Sequence, residues 1–381
     1  MASRKALPFA LLLGFAFQLS AQNPPEGRWF DVDFPRDSPV LPVTFSLGST
    51  TLRPRGASMA LDLHASLLLR NTGTKTVSGL TLRVEAPDPA PAAKGSVTVP
   101  SLQVRPGETF PVRIDLELQR PFSLGRNEGA IVRVSLDCAL FADLSHYGPD
   151  QLHSRRALIV YELEARRDRR YMAGLVRAGL WTQIREELNF GSPDLRLPQL
   201  GFELLRDART GARREFALTV NTMAFPSAPV QAMNGAAQVA GNEVRAPRIE
   251  VRNVSQRPVR GVDMGWIIRD ERGRDFVAGS MPALLKVDGV ETGAMAEGET
   301  LRFSRGPGQP LSIGALLAFV NDVEFADGKL WIPSRNDIEE ATNDPILRRT
   351  LLNSPEQQRL AEIYRRKGSN GLVSELQKAN P

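Results

Sequence analysis

The sequence predicts a mainly β chain of two β-sandwich units, each followed by an α-helical segment. Three observations carry that prediction. Apolar residues alternate with polar ones over many short runs, which is the period of a half-buried strand. The same short words recur in the same order in both halves of the chain. After each half the apolar spacing changes to about four, the period of an amphipathic helix.

The chain opens with Arg4 and Lys5, followed by an almost unbroken apolar run from Ala6 to Leu19 and the small residues Ser20 and Ala21. This layout reads as a secretory signal peptide over residues 1–21, cleaved after Ala21. The run is short of the roughly 20 residues that span a bilayer, and no later segment is apolar enough to do so. The expectation is therefore an exported protein, periplasmic or extracellular, with no transmembrane segment once the signal is removed. Cys138 is the only cysteine, so no internal disulfide forms, and export without disulfides suits a bacterial envelope protein.

Residues 22–40 form a lead-in that carries Asp31, Asp33 and Asp37. Oxygen-rich loops bind calcium, but this spacing lacks the glycine and terminal glutamate of an EF-hand, so a solvated acidic stretch is expected. The first unit, 41–155, contains the run Leu61, Leu63, Ala65, Leu67 and Leu69, whose intervening positions are mostly polar. The same period returns at Leu80, Leu82 and Val84, at Val112, Ile114, Leu116 and Leu118, and at Val132, Val134, Leu136, Cys138 and Leu140. Strands with one apolar face cover each other as two packed sheets. Turn signals such as Asn71-Thr72-Gly73 and Arg105-Pro106-Gly107-Glu108 separate them.

From about Arg156 to Leu188, within the 156–190 linker, Tyr161, Met172, Val176, Leu180, Ile184 and Leu188 predict an amphipathic helix. Gly174 and Gly179 are its candidate breaks. The second unit, 191–335, opens with a strand pair around a turn near Thr210-Gly211. It then repeats Arg70-Asn71, Val77 and Gly79 as Arg252-Asn253, Val259 and Gly261, and Phe141-Ala142-Asp143 as Phe325-Ala326-Asp327. Its inward stripes are Ile249 and Val251, then Met264, Trp266 and Ile268, then Leu301 and Phe303, then Ala315, Leu317 and Phe319. In the tail, 336–381, Asp344 precedes Pro345, and Ser354-Pro355-Glu356-Gln357 is a capping box, so short helices are expected.

The words Leu67-Leu68-Leu69-Arg70-Asn71-Thr72-Gly73, the strand from Gly79 to Val84 and the turn Pro106-Gly107-Glu108-Thr109 resemble bacterial immunoglobulin-like and fibronectin-like modules of exported proteins. The segment Val323 to Trp331 is similar to the closing strand and turn of repeats in envelope proteins. The resemblance covers about two thirds of the chain and implies immunoglobulin-like β-sandwiches serving as spacers, adhesion units or assembly platforms. The Cys-Trp-Cys framework of antibody-type domains is missing.

The chemistry in the sequence is sparse. Asp143, His146, Asp150 and His153 are the best metal constellation, with imidazole and carboxylate donors in one loop. Their spacing matches no ligand motif, so a polar linker is the expectation and no cofactor is assigned. His64 falls on the outward face of its strand. No nucleophile elbow, zinc-binding helix or phosphate loop occurs, and the reading is non-enzymatic, although a carboxylate pair distant in sequence would escape it. Removing Arg4 and Lys5 lowers the formal charge from +5 to +3, and acidic residues are interspersed, so a nucleic-acid footprint is not expected.

Three functions follow, in order. The first is a protein-interaction or structural module with a partner in the cell envelope. The second is a peripheral binder of anionic membrane or glycan through Arg155, Arg156, Arg166, Arg167, Arg169, Arg170 and Arg177, with Arg348, Arg349, Arg359, Arg365 and Arg366 in the tail. The third is a hydrolase with an unrecognised carboxylate site.

Overall fold

The computed structural model describes residues 30–55, 58–86, 93–121, 132–188, 196–205, 215–283, 292–297, 300–305 and 311–379. The signal peptide expected at 1–21, the lead-in up to residue 29 and the turn expected near Thr210-Gly211 lie outside them. The chain is mainly β, with 49% strand and 25% helix, as the alternating pattern predicts.

Among the described residues nine strands precede helix α1 (Arg155–Arg177): β1 Phe30–Asp33, β2 Val40–Leu47, β3 Thr51–Arg55, β4 Ser58–Asn71, β5 Val77–Ala86, β6 Ala93–Val99, β7 Thr109–Pro121, β8 Val132–Phe141 and β9 His146–Tyr147. In one sheet β2, β3 and β7 all pair with β4, and in the other the order is β1-β8-β5-β6 with β9 on β8. Leu61, Leu63, Ala65, Leu67 and Leu69 of β4 are all buried and share one core with Leu80, Leu82, Val84, Val132, Val134 and Leu136. Strand β1 lies inside the expected lead-in. Phe30 is buried in that core, and Phe30–Asp33 pairs in parallel with Val132–Ser135.

The β8 stripe is interrupted in the middle. Cys138 and Leu140 do not join Val132, Val134 and Leu136 inside; Ala139 and Phe141 do. A β-bulge is the cause: Thr81 pairs with Cys138 but Leu82 with Leu136, so Asp137 is an extra residue and inside-outside parity inverts beyond it.

Helices α1 Arg155–Arg177 and α2 Trp181–Leu188 follow. The expected single helix is broken at Gly179, whose φ of +69° suits glycine, while Gly174 sits inside α1. Ten more strands among the described residues come next: β10 Gly201–Leu205, β11 Phe216–Met223, β12 Val230–Ala240, β13 Glu243–Asn253, β14 Val259–Asp270, β15 Asp275–Ala283, β16 Thr292–Glu297, β17 Thr300–Ser304, β18 Ile313–Phe325 and β19 Leu330–Trp331. The chain ends in α3 Arg335–Ala341, α4 Pro345–Leu351 and α5 Pro355–Ala379.

Two separate sheets were expected in this second β region, but its strands form one sheet. The hydrogen-bonded path β10-β17-β13-β12-β11-β18-β14-β15 is continuous and curls into a near-barrel. Strand β11 joins the layers, because its first half pairs antiparallel with β12 and its last four residues pair in parallel with β18. The β18 stripe is also shifted by one residue from expectation. Leu316, Ala318 and Val320 enter the core, whereas Leu317 and Phe319 face Ile338, Leu347 and Leu352 of the C-terminal helices. Both faces of β18 are covered and therefore apolar, so a period of two does not select the inner one.

The recurring sequence words form the same corner twice. The Asn71 side-chain amide donates to Lys75 O and that of Asn253 to Arg257 O, both at 2.9 Å. Each Asn Oδ1 accepts from the N–H two residues on, Gly73 at 3.0 Å and Ser255 at 2.9 Å. Val77 pairs with Phe141 as Val259 pairs with Phe325. Lys75 lies over the Phe141 ring and Arg257 over the Phe325 ring, and each cation also meets the following aspartate, Asp143 at 2.7 Å and Asp327 at 2.9 Å. A register shift recurs as well, at Asp137 in β8 and at Asn321 in β18.

The helices that follow the two β regions pack into one layer. Met172, Leu175, Ile184 and Leu188 of α1 and α2 bury against Leu360, Ala361, Leu372 and Leu376 of α5. Two cap signals read from the tail form: Asp344 accepts from Ile346 N at 2.8 Å and Ser354 Oγ from Gln357 N at 3.1 Å, each capping a helix start. The expected box at Ser354 stays half made, because the Gln357 side chain donates to Glu187 O at 3.3 Å; the reciprocal box is made by Ser334 and Asp337 at the start of α3.

Candidate functional site

The first turns of α1 lie between the outer faces of two strand pairs, β5/β8 and β14/β18. On one side Leu158 and Ile159 pack on Cys138 and Leu140. The helix comes so near that a Cβ on Gly79 would stand 2.9 Å from Leu158 Cδ2. On the other side Arg156 donates to Asp322 Oδ1 through Nε (3.0 Å) and Nη2 (2.6 Å), with Asp263 at 3.5 Å and Glu324 at 3.6 Å. One guanidinium thus serves three carboxylates.

Asp263 and Asp322 stand directly opposite each other on β14 and β18. Counted from the recurring corner, their counterparts in the first β region are Thr81 and Cys138, which also pair directly. The same two positions therefore hold a neutral pair under Leu158 and an acidic pair under Arg156. Burial, and then the neighbouring Asp322, push the Asp263 carboxyl up to about 7 despite Arg156.

The acidic pair opens onto a cleft of about 460 Å³ between α1, the 196–199 segment, the β14/β18 face and the α4–α5 junction. Tyr161, Glu164, Arg196 and Asn353 line it with Asp263 and Asp322. Removal from water raises the Glu164 carboxyl to about 7, with Arg167 opposing the shift. Two carboxyls of one cleft thus hold protons close to neutrality, which sets this place apart.

A second ionic network lies between α1, α2, α3 and α5. Arg169 meets Glu162 at 2.9 Å and Glu356 at 3.4 Å, and Arg359 meets Glu356 at 2.7 Å and Glu375 at 2.5 Å. Arg335 meets Glu187 at 2.7 Å and stacks 3.6 Å above the Tyr171 ring. The fully buried Asp168 accepts from Arg167 Nε at 3.1 Å and Ser354 Oγ at 2.5 Å. Among the arginines singled out in the sequence, Arg156, Arg166, Arg167, Arg169, Arg359, Arg365 and Arg366 pair with carboxylates, while Arg170 is exposed.

The predicted metal residues have separate duties. Asp143 pairs with Lys75, His146 is exposed on β9, Asp150 Oδ1 accepts from Arg155 N at 2.9 Å at the start of α1, and His153 donates its backbone N–H to Asp150 O. Among the described residues no three His, Cys, Asp or Glu side chains gather as a metal shell. The loop is organised by the bulge residue, since buried Asp137 accepts from Gln151 N at 2.9 Å. Asp31 pairs with Arg133 at 3.0 Å and Asp37 accepts from Tyr147 Oη at 3.0 Å. His64 is on the surface, with Nδ1 2.7 Å from Asp115.

Glu164, Asp263 and Asp322 were not singled out in the sequence. The signal for two of them was present: aligning the recurring words sets Asp263 and Asp322 against Thr81 and Cys138, a charge gained at buried positions. Comparison with known proteins finds no matching family model and no curated protein of significant sequence similarity. No helix among the described residues is long and apolar enough to cross a membrane.

Proposed function

We propose that the chain is an exported envelope protein made of two diverged immunoglobulin-like β-sandwich modules, acting without catalysis as an interaction scaffold for a protein partner. The signal-peptide layout supports export, and the twice-formed asparagine corner supports duplication. The observation that carries the reading is the position of α1, which grips one β region through Leu158 and Ile159 and the other through Arg156. Turns and strand edges of both modules are then presented in a fixed relation, and edges and loops are where such modules bind. Exposed apolar residues, Val43 on β2 and Met233 at the matching place on β12 together with Phe45, which stacks on Phe30, supply a partner surface.

The test is in-cell cross-linking of the exported protein with mass spectrometry of its adducts and its N-terminus. A recurrent protein adduct that Phe45→Ser or Met233→Ser removes, on a chain beginning at Gln22, is the expected result. A mature chain without adducts overturns the scaffold reading.

A second reading, a hydrolase, is favoured by the cleft, where carboxyls that titrate near neutrality meet the requirement for a general acid. It requires turnover of glycoside or ester substrates that Glu164→Gln or Asp263→Asn abolishes while the fold is retained. Binding of an anionic membrane or glycan draws less support, since most of the singled-out arginines face carboxylates of their own chain.

A further inference from the structure

We propose that the contact of α1 with β14 and β18 is a pH-sensitive latch, tight in acid and loosened as the pH rises to neutrality. Its geometry is a charge imbalance: Arg156 faces Asp263, Asp322 and Glu324 together, and their side chains are only 14%, 1% and 18% exposed. Like charges directly opposite on neighbouring strands repel. A proton held on Asp263 turns that repulsion into a hydrogen bond to Asp322, and Arg156 then balances the charge that is left.

The surrounding elements offer little further compensation. Arg260 reaches Glu324 at 3.5 Å from an exposed position. On α1, Glu164 borders the same cleft; Arg167 is the cation that opposes its shift, and that guanidinium already binds Asp168. Asp168 in turn meets Arg335 and Ser354. Arg196 lies on the facing wall, and Tyr161 stays neutral because burial raises its phenol. Strand β15 adds only Val277 and Ala278, and the α4–α5 junction adds Thr350, Asn353 and Pro355.

The direction follows from linkage. Asp263 and Glu164 lose their protons near 7 in the folded chain, against 3.8 and 4.5 for free side chains. Their contribution to the closed contact is complete below the free values and is lost as pH rises through about 7. Between those limits the closing equilibrium weakens by up to about tenfold per pH unit for each proton released. The apolar contact of Leu158 and Ile159 with the first β region carries no such groups, so opening is one-sided.

Hydrogen exchange of the full chain, read by mass spectrometry at pH 5.5 and 8 and corrected for intrinsic rates, tests the latch. The expected result is a loss of protection of about tenfold or more at pH 8 in peptides covering 156–164, 259–268 and 318–325, with peptides from β5 and β6 unchanged. Asp263→Asn, which keeps a neutral partner beside Asp322, should remove most of the difference, and Glu164→Gln part of it. Equal protection at both pH values in the native chain overturns the proposal, as does native pH dependence in both variants. Should Asp263→Asn fail to fold, carbon-13 titration of the Asp263 carboxyl in the native chain decides, and a midpoint below 5 overturns the latch.

Discussion

At the scale of single residues, the chain gathers its buried charges into networks, and in one of them the acids outnumber the cation at their centre. Arg156 is that cation, holding Asp263 of β14 with Asp322 and Glu324 of β18, so Arg156→Ala leaves the three acids together with only the exposed Arg260, 3.5 Å from Glu324. Breaking a buried ion pair costs roughly 3–5 kcal/mol, and the 26% exposure of Arg156 lowers the expectation to about 2–3 kcal/mol in urea unfolding. His64 behaves as an ordinary surface switch. Its hydrogen bond to Asp115 raises the imidazole above 6.5, so its small stabilising effect is present in acid and lost as pH rises through the raised value. Proton NMR should place the His64 midpoint above 6.5 and show it falling in Asp115→Asn. Alternation in the sequence exposed His64 and buried Leu61 to Leu69 correctly, because those side chains obey their own strand. It did not reveal Asp263 and Asp322, whose role depends on an arginine more than 100 residues upstream.

At the scale of elements, extra residues and missing side chains set the geometry. Asp137 inverts the parity of β8, and Cys138 and Leu140 thereby become the bed of α1 instead of core. Counting by twos cannot detect this, since a bulge adds one residue without changing composition. Gly148 marks the same place, with φ of +116° and no room for a Cβ against the Asp137 carbonyl. Gly148→Ala should therefore destabilise the chain by about 1–3 kcal/mol through the strained backbone alone, with the collision adding to it. Gly265 carries the Phe319 ring where its own side chain would be. Gly265→Val should displace that ring, detach α3 and α4 from β18, and raise tryptic cleavage in 335–351 before the β core unfolds.

At the scale of the whole molecule, the β character of the chain was legible, while the number of its strands and their union were not: four alternating stripes stand where the first β region has nine described strands. Many short alternating runs announced a β-rich chain, but the closing of the second sheet depends on β11 changing partners midway, which no local pattern records. The pairing of α1 with α5 was equally hidden, because an apolar stripe identifies a face without its mate. Removing residues 334–381 should consequently expose Met172, Leu175 and Phe319, lower the melting temperature and increase dye binding, while β4 and β7 retain their protected amides.

The pairing of α1 with α5 also has a consequence in time. Leu360 emerges nearly 190 residues after Met172, an interval of about 10–40 s at typical synthesis rates of 5–20 residues per second. Throughout that interval the first β region can complete its core while the apolar side of α1 has no cover. A newly made chain therefore offers a transient site for chaperones centred on residues 172–188, which closes only when its last helix arrives.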